Sequence, residues 1–232
     1  MTRKLIILLS IVSLLISCSE IDNYEFPDGN IYGKVIDLTT DEGIQTEQPN
    51  GFNIKMFEKG GLINTPITFS GKQDGSFENA MVFQNEYRVV AVEGPFFPLP
   101  DTVTVQVGAR TEMNFNVTPF LTITNVSVTP SAGQVSVTYG LSRSQVGGKI
   151  TFRKTFVSTV ATVSNAYNTG VKSTSTSSTA DATLLATTFT DVVTGLVSGK
   201  KYWVRVGALA AGSGYNSLNR YNYSKVFEVT IP

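Results

Sequence analysis

The chain reads as all-β, two β-sandwiches in tandem, and three observations lead there. Short alternating stretches recur along it with Gly- and Asp-rich turns between them, and no segment sustains a helical 3.6-residue period. Only 16% of residues are charged, while Thr, Ser, Val and Asn abound, a composition suited to a pleated, half-buried surface. The chain has 232 residues, which after loss of a leader leaves room for two domains of about 100 residues each.

The first element is the leader. Arg3 and Lys4 give it a basic start, and an apolar run from Leu5 is broken only by Ser10 and Ser13 before Ser17. That run is shorter than the ~20 apolar residues a transmembrane helix needs. Residues 1–17 are therefore read as a secretory signal. Leu15-Ile16-Ser17-Cys18 resembles a bacterial lipobox, in which a small residue precedes a cysteine that is lipidated and becomes the new N-terminus. Cys18 is the only cysteine of the chain, and an unpaired thiol in an oxidising exterior is a liability. Lipidation of Cys18 is the expectation, with several acyl chains giving firm attachment where one would not. Residues 18–29 carry Glu20, Asp22, Glu25, Pro27 and Asp28 with no apolar period, and read as a tether. Acids soon after a lipidated cysteine resemble the export signal of surface-exposed Bacteroidetes lipoproteins. The expected location is the outer membrane, lipid-anchored and facing outward.

Residues 30–118 form the first expected sandwich. Alternating stretches fall at 33–37, 52–57, 67–70, 83–92, 102–107 and 113–117, separated by turns such as Lys59-Gly60-Gly61 and Asp74-Gly75. The pattern Gly33-x-Val35-x-Asp37, Gly43-Ile44, Asp74-Gly75-Ser76-Phe77 and Tyr87-x-Val89-x-Ala91 resembles the transthyretin-like, carboxypeptidase-regulatory sandwich. That resemblance points Val35, Ile54, Met56, Phe77, Tyr87, Val89, Phe115 and Val117 inward.

Thr118-Pro119 marks the boundary, since proline cannot continue a central ladder. The second sandwich, 120–232, has strands expected at 121–128, 135–139 and 150–157, a Ser/Thr-rich loop or frayed edge at 173–179, and a last strand at 223–231. The run from Thr188 through Leu196 and Gly199 to Tyr202-Trp203-Val204-Arg205-Val206-Gly207-Ala208 resembles the fibronectin type III (Ig-like) signature. Its tyrosine suits a tyrosine corner, with the ring in the core and the hydroxyl returning to backbone. Both sandwiches are expected to fold independently.

Composition excludes several functions. There are 18 basic and 18 acidic residues, so no net field attracts nucleic acid. Histidine is absent, which removes His-based triads, His acid–base catalysis and His-ligated metals. Glu42, Glu47, Asp74 and Glu93 are the carboxylates that would have to serve a glycosidase. All sit in or beside turns, where acids are ordinarily solvated, and no enzyme activity is expected. Asp37, Asp41 and Glu42 lack Ca²⁺-loop spacing, so neither a metal nor another cofactor is expected. Binding is the better reading, and aromatic residues would carry it. Phe96 and Phe97, set between Pro95 and Pro98, either stack on sugars or plug the sandwich end and the seam between domains. Tyr215, Tyr221 and Tyr223, with Asn216, Asn219 and Arg220, form either a recognition cluster or a cover over the second core. If Tyr202, Val204 and Val206 face inward, Trp203 and Arg205 share the outer face. There the only tryptophan would be a sugar platform or protein hot spot, or would be covered by its neighbours.

Taken together, Asp22-Asn23-Tyr24, Gly33-Lys34-Val35-Ile36-Asp37, Gln45-Thr46-Glu47-Gln48-Pro49-Asn50-Gly51 and Gly94-Pro95-Phe96-Phe97-Pro98 resemble a Bacteroidetes surface lipoprotein family of unknown function. That family is associated with SusC/SusD-type glycan-uptake loci, and its most specific stretch is the Gln45 to Gly51 run. The resemblance implies a non-catalytic protein that assists glycan capture or scaffolds an uptake complex, with a membrane, a glycan and SusC/SusD-type proteins as partners. The alternative is a structural, adhesin-like surface module that binds no sugar.

Overall fold

The structure is a computed structural model, and it describes residues 25–60, 65–212 and 216–232. Its strands build four sheets, stacked in two pairs, and the all-β sandwich expectation holds.

In the first pair, β1 (Gly29–Asp37) is the central strand of its sheet. On one side it pairs antiparallel with β2 (Glu42–Gly43) and β5 (Ser76–Val82). On the other it runs parallel to β8 (Thr111–Glu112) and β9 (Phe115–Val117). The facing sheet is antiparallel, in the order β4 (Ile67–Ser70), β3 (Asn53–Glu58), β6 (Glu86–Val92), β7 (Val103–Gln106). Val35, Ile54, Met56, Phe77, Tyr87, Val89, Phe115 and Val117 are all buried in the core between these sheets, as strand alternation requires.

Turn chemistry fixes the register. Gly75 sits at φ +83°, and a Cβ there would meet the amide of Ile44 at 2.6 Å and the carbonyl of Val35 at 2.8 Å. Only glycine adopts that backbone without cost. Asp74 completes the turn, its Oδ1 accepting from the Ser76 amide at 3.1 Å and hydroxyl at 2.7 Å.

The second pair stacks β10 (Thr122–Ser131), β11 (Gln134–Ser142) and β14 (Phe189–Thr194) on a sheet led by β13 (Gly170–Ser175), β12 (Lys149–Ser158) and β15 (Lys201–Ala211). The far side of β15 is shared by β16 (Asn222–Tyr223) and β17 (Phe227–Thr230). Tyr202, Val204 and Val206 face the core, and the Tyr202 hydroxyl accepts from the Val197 amide at 3.2 Å. A buried polar pin crosses between the sheets. The Asp191 carboxylate on β14 accepts from Tyr139 on β11 at 2.8 Å and from Thr155 on β12 at 2.9 Å, and pairs with Arg153, also on β12. Burial pushes the Tyr139 phenol well up, so it remains a donor.

Several elements differ from the sequence reading. Phe83 belongs to the turn after β5, where its carbonyl accepts from the Tyr87 hydroxyl at 3.0 Å, and so the expected strand 83–92 begins at Glu86. The Ser/Thr-rich stretch contributes to an edge strand, β13, hydrogen-bonded to β12. The expected last strand is split into β16 and β17. Between them the Ser224 amide still donates to the Val206 carbonyl at 2.9 Å, and the Ser224 hydroxyl accepts from the Val206 amide at 3.0 Å. A short helix, α1 (Asp181–Leu185), closes one end beneath Leu184.

Candidate functional site: a cleft at the seam between the sandwiches

Two strips of chain tie the sandwiches together. The strip around Phe96 pairs with the linker: the Phe97 amide donates to Thr118, and the Phe120 amide to Pro95. Phe96 enters the first core, while Phe97 packs on the second core with its ring edge-on to Phe120 at 5.0 Å. Asn222 reinforces the joint, donating to the Pro95 carbonyl at 2.8 Å and accepting from the Leu121 amide at 3.1 Å.

The second strip is the 45–51 loop of the first sandwich, which lies on the outer face of β15 and β16. Arg205 is fully buried beneath it. Its guanidinium donates to the carbonyls of Ser224 (2.8 Å), Thr46 (2.7 Å) and Gln73 (3.3 Å) and to Gln45 Oε1 (3.3 Å). Its carbon lies 4.5 Å from the centre of the Tyr223 ring, which adds a cation–π contact. Burial pushes the Arg205 pKa down to about 10, against the pull of Tyr223 and Glu47, which leaves it charged at neutral pH. Tyr223 in turn donates its hydroxyl to Glu47 Oε2 at 2.8 Å and accepts from the Asn165 amide at 3.1 Å. The Ala166 amide donates to the same Glu47 oxygen at 3.2 Å.

Beside this latch a cleft of about 570 Å³ opens between the sandwiches. Glu47 and Gly51 line it from the first sandwich. Phe152, Asn165, Asn219, Arg220 and Tyr221 are the chief lining residues from the second. Lys154 Nζ lies over its rings, 5.1 Å from the Tyr221 ring centre and 5.5 Å from that of Phe152, and is bonded to Asn165 Oδ1 at 2.8 Å. Tyr221 packs edge-on against Phe156 and tilted against Tyr223. Asn216, buried, holds the loop bearing Asn219 and Arg220: its amide group donates to the carbonyls of Ala210 and Arg220, and its oxygen accepts from the Arg220 amide. Arg220 Nε is spent on the Glu93 carbonyl at 3.1 Å. The cleft therefore offers an aromatic surface, a carboxylate, amides and a guanidinium, a set that binds polyhydroxylated rings.

The sequence candidates divide. Tyr221, Asn219 and Arg220 line the cleft; Tyr223 and Asn216 lie buried behind it as supports. Arg205 corrects the expectation of an outward guanidinium beside Trp203: alternation does put it on the outer face of β15, but the 45–51 loop covers that face. Trp203 is half-buried against Phe156, Val163 and Tyr223 and lies outside the cleft. Phe96 and Phe97 fill the sandwich end and the seam. Tyr215 and Cys18 lie outside the described residues. The four acids considered for catalysis are scattered among separate partners, Glu42 on Lys225, Glu47 on Tyr223, Asp74 on Ser76 and Glu93 on Lys55. Among the described residues no three metal-ligating side chains cluster. Sequence reasoning passed over Phe152 and Asn165, and took Glu47 for a solvated acid; the one available signal was the distinctiveness of the Gln45 to Gly51 run.

Comparison with known proteins agrees with this architecture. Residues 29–118 match the family model described as a protein of unknown function (DUF3823), N-terminal domain. A DUF3823 family protein from Bacteroides uniformis is 26% identical with a TM-score of 0.79, covering 89% of this chain and 100% of that one. Another protein from Bacteroides uniformis, described as a "putative carbohydrate binding protein", is 25% identical with a TM-score of 0.73, covering 88% of this chain and 100% of that one. A DUF3823 family protein from Parabacteroides merdae shares the fold at 21% identity, with a TM-score of 0.74 over 89% of this chain and 100% of that one. No curated protein matches the chain.

Proposed function

We propose that this protein is a non-catalytic surface lipoprotein, anchored in the outer membrane through Cys18, that captures glycan in the seam cleft and serves a SusC/SusD-type uptake complex. The observation that carries the glycan reading is the cleft itself. Its volume of about 570 Å³ lies within the ~300–1,000 Å³ of small-molecule sites, and it joins ring surface to a few fixed polar groups, as such sites do. Sugar C–H faces pack on aromatic rings while their hydroxyls need both donors and acceptors, and Tyr221, Phe152, Glu47, Asn165 and Arg220 supply both kinds of contact. The relative described as a "putative carbohydrate binding protein" shares the fold over 88% of this chain, which supports the reading. The lipobox-like leader and acidic tether support the location.

The test is retention of the full chain, purified in detergent, on an array of neutral and acidic oligosaccharides. Binding to a defined glycan is expected, with Tyr221→Ala weakening it by roughly tenfold or more, equivalent to the ~1.4 kcal/mol of one good ring contact. A wild-type chain that binds nothing on the array would favour the adhesin-like structural module instead.

A further inference from the structure

The 45–51 loop brings one acid to the cleft wall and holds it there with half of its hydrogen-bonding capacity unused. Glu47 Oε2 takes both the Tyr223 hydroxyl and the Ala166 amide. Glu47 Oε1 accepts nothing from any described residue. An ionised carboxylate has about four lone-pair sites, so two remain open on an oxygen of a cleft-lining side chain. Two parts of this hold are themselves packed. The Tyr223 ring is packed between Arg205 and Phe156, and Thr46, next in sequence to Glu47, is clamped through its carbonyl by Arg205.

From this geometry we infer that Glu47 is the group that reads the glycan, accepting at Oε1 from two neighbouring sugar hydroxyls, and that Tyr223 is its positioning residue. The inference rests on the glycan reading above and specifies its substrate class. The cleft takes sugars that present a free vicinal diol at the Glu47 end, and discriminates against sugars carrying a carboxylate or sulfate there, because an acceptor-only anion gains nothing from a second one and repels it. Because Glu47 belongs to the first sandwich while the ring platform belongs to the second, a bound glycan bridges the seam. Tyr223 remains a donor throughout the neutral range, since burial and then the Glu47 charge hold its phenol well above its ordinary value.

The probes are maltohexaose, cellohexaose, xylohexaose, mannohexaose and an oligogalacturonate, titrated calorimetrically against the full chain in detergent. Three variants accompany the wild type. Glu47→Gln keeps size but replaces the charged acceptor. Tyr223→Phe keeps the ring over Arg205 and removes the hydroxyl that aims Glu47, which also frees the Asn165 amide it accepted from. Tyr221→Ala removes ring surface and leaves both hydrogen bonds to Glu47 in place. At least one neutral hexasaccharide is expected to bind and the oligogalacturonate to bind more weakly. Glu47→Gln should lose roughly tenfold or more in affinity, the usual weight of a hydrogen bond to a charged group. Tyr223→Phe should lose less alone and little further when combined with Glu47→Gln, since what passes through the carboxylate is already lost and only the freed Asn165 amide remains. A purely structural Tyr223 would instead lower affinity equally with either residue at position 47. If a glycan binds and Tyr221→Ala weakens it while Glu47→Gln and Tyr223→Phe do not, the reading role of Glu47 is overturned and the cleft stands. Preferred binding of the oligogalacturonate overturns the substrate class. If no probe binds the wild type, both the inference and the glycan reading fall.

Discussion

Arg205 shows what one side chain does when it is closed off from bulk solvent. Among the described residues its charge meets no carboxylate directly; four oxygens and one ring face take the place of its hydration. Three of those oxygens belong to the first sandwich, up to 160 positions away in sequence. Removing the guanidinium leaves buried carbonyls unpaired and a void between the domains. Arg205→Ala should therefore cost about 3–5 kcal/mol in urea unfolding, the scale seen when a buried charge network is broken. Arg205→Lys should recover little, because an ammonium lacks the planar fork that spans these acceptors. An Arg205→Ala protein as stable as its parent would show that the seam is held elsewhere. Alternation in β15 made the direction of this side chain legible in advance. What covers it was not legible, because a contact across 160 positions leaves no trace in local periodicity.

At the scale of elements, the strands with clean alternation had their inward faces read correctly, and turn residues on either side bounded others. Ile67–Ser70 was placed to the residue, and the inward sets of β1, β3, β6 and β15 agree with the core. β5 escaped as a separate strand because it borders its sheet and its two buried residues, Phe77 and Val82, are five positions apart with exposed Glu78, Ala80 and Met81 between them, which breaks the period of two. The break between β16 and β17 is equally silent, since a strand that shifts at Ser224 keeps a β-like composition. The polar pin in the second sandwich was also unseen. Asp191, Tyr139, Arg153 and Thr155 sit on three strands and look like surface residues one strand at a time. Asp191→Ala should destabilise by about 3–5 kcal/mol, because it strands Arg153 with its charge unpaired. For a chain of this size that lowers the melting temperature by roughly 6–20 °C. Near-UV circular dichroism should show the loss in the Tyr139 environment, and an unchanged melt would mean that water replaces the carboxylate.

For the whole molecule, two sandwiches were legible because each has its own apolar pattern, whereas their mutual placement depends on the 45–51 and 94–98 strips that neither pattern marks as an interface. The seam also bears on the expectation of two independently folding halves. Residues 120–232 alone would expose Arg205, Tyr223 and Phe97's packing site, so that fragment is expected to be markedly less stable than the full chain in thermal melts. Equal stability would mean that the seam contributes nothing to either fold. Cys18→Ala should move the protein from the membrane fraction to the soluble fraction and abolish palmitate labelling, because no other acyl attachment is expected. Continued sedimentation with label would sink the lipoprotein reading.

The parallel pairing of β1 with β8 and β9 has a mechanical consequence. A pull exerted ahead of Gly29 and beyond Val117 drags β1 and β9 in opposite directions along their common axis. The ladder joining Ile31 to Thr111, Tyr32 to Glu112, Val35 to Phe115, Ile36 to Asn116 and Asp37 to Val117 is then sheared, and its hydrogen bonds must yield together. Pulling instead between the chain ahead of Gly29 and Phe83 peels β5 from β1 one pair at a time, starting at Gly29 and Val82. Single-molecule stretching should give a high, single rupture in the first geometry and a low one in the second. A capture protein strained between its tether and a glycan bridging the seam would feel the first.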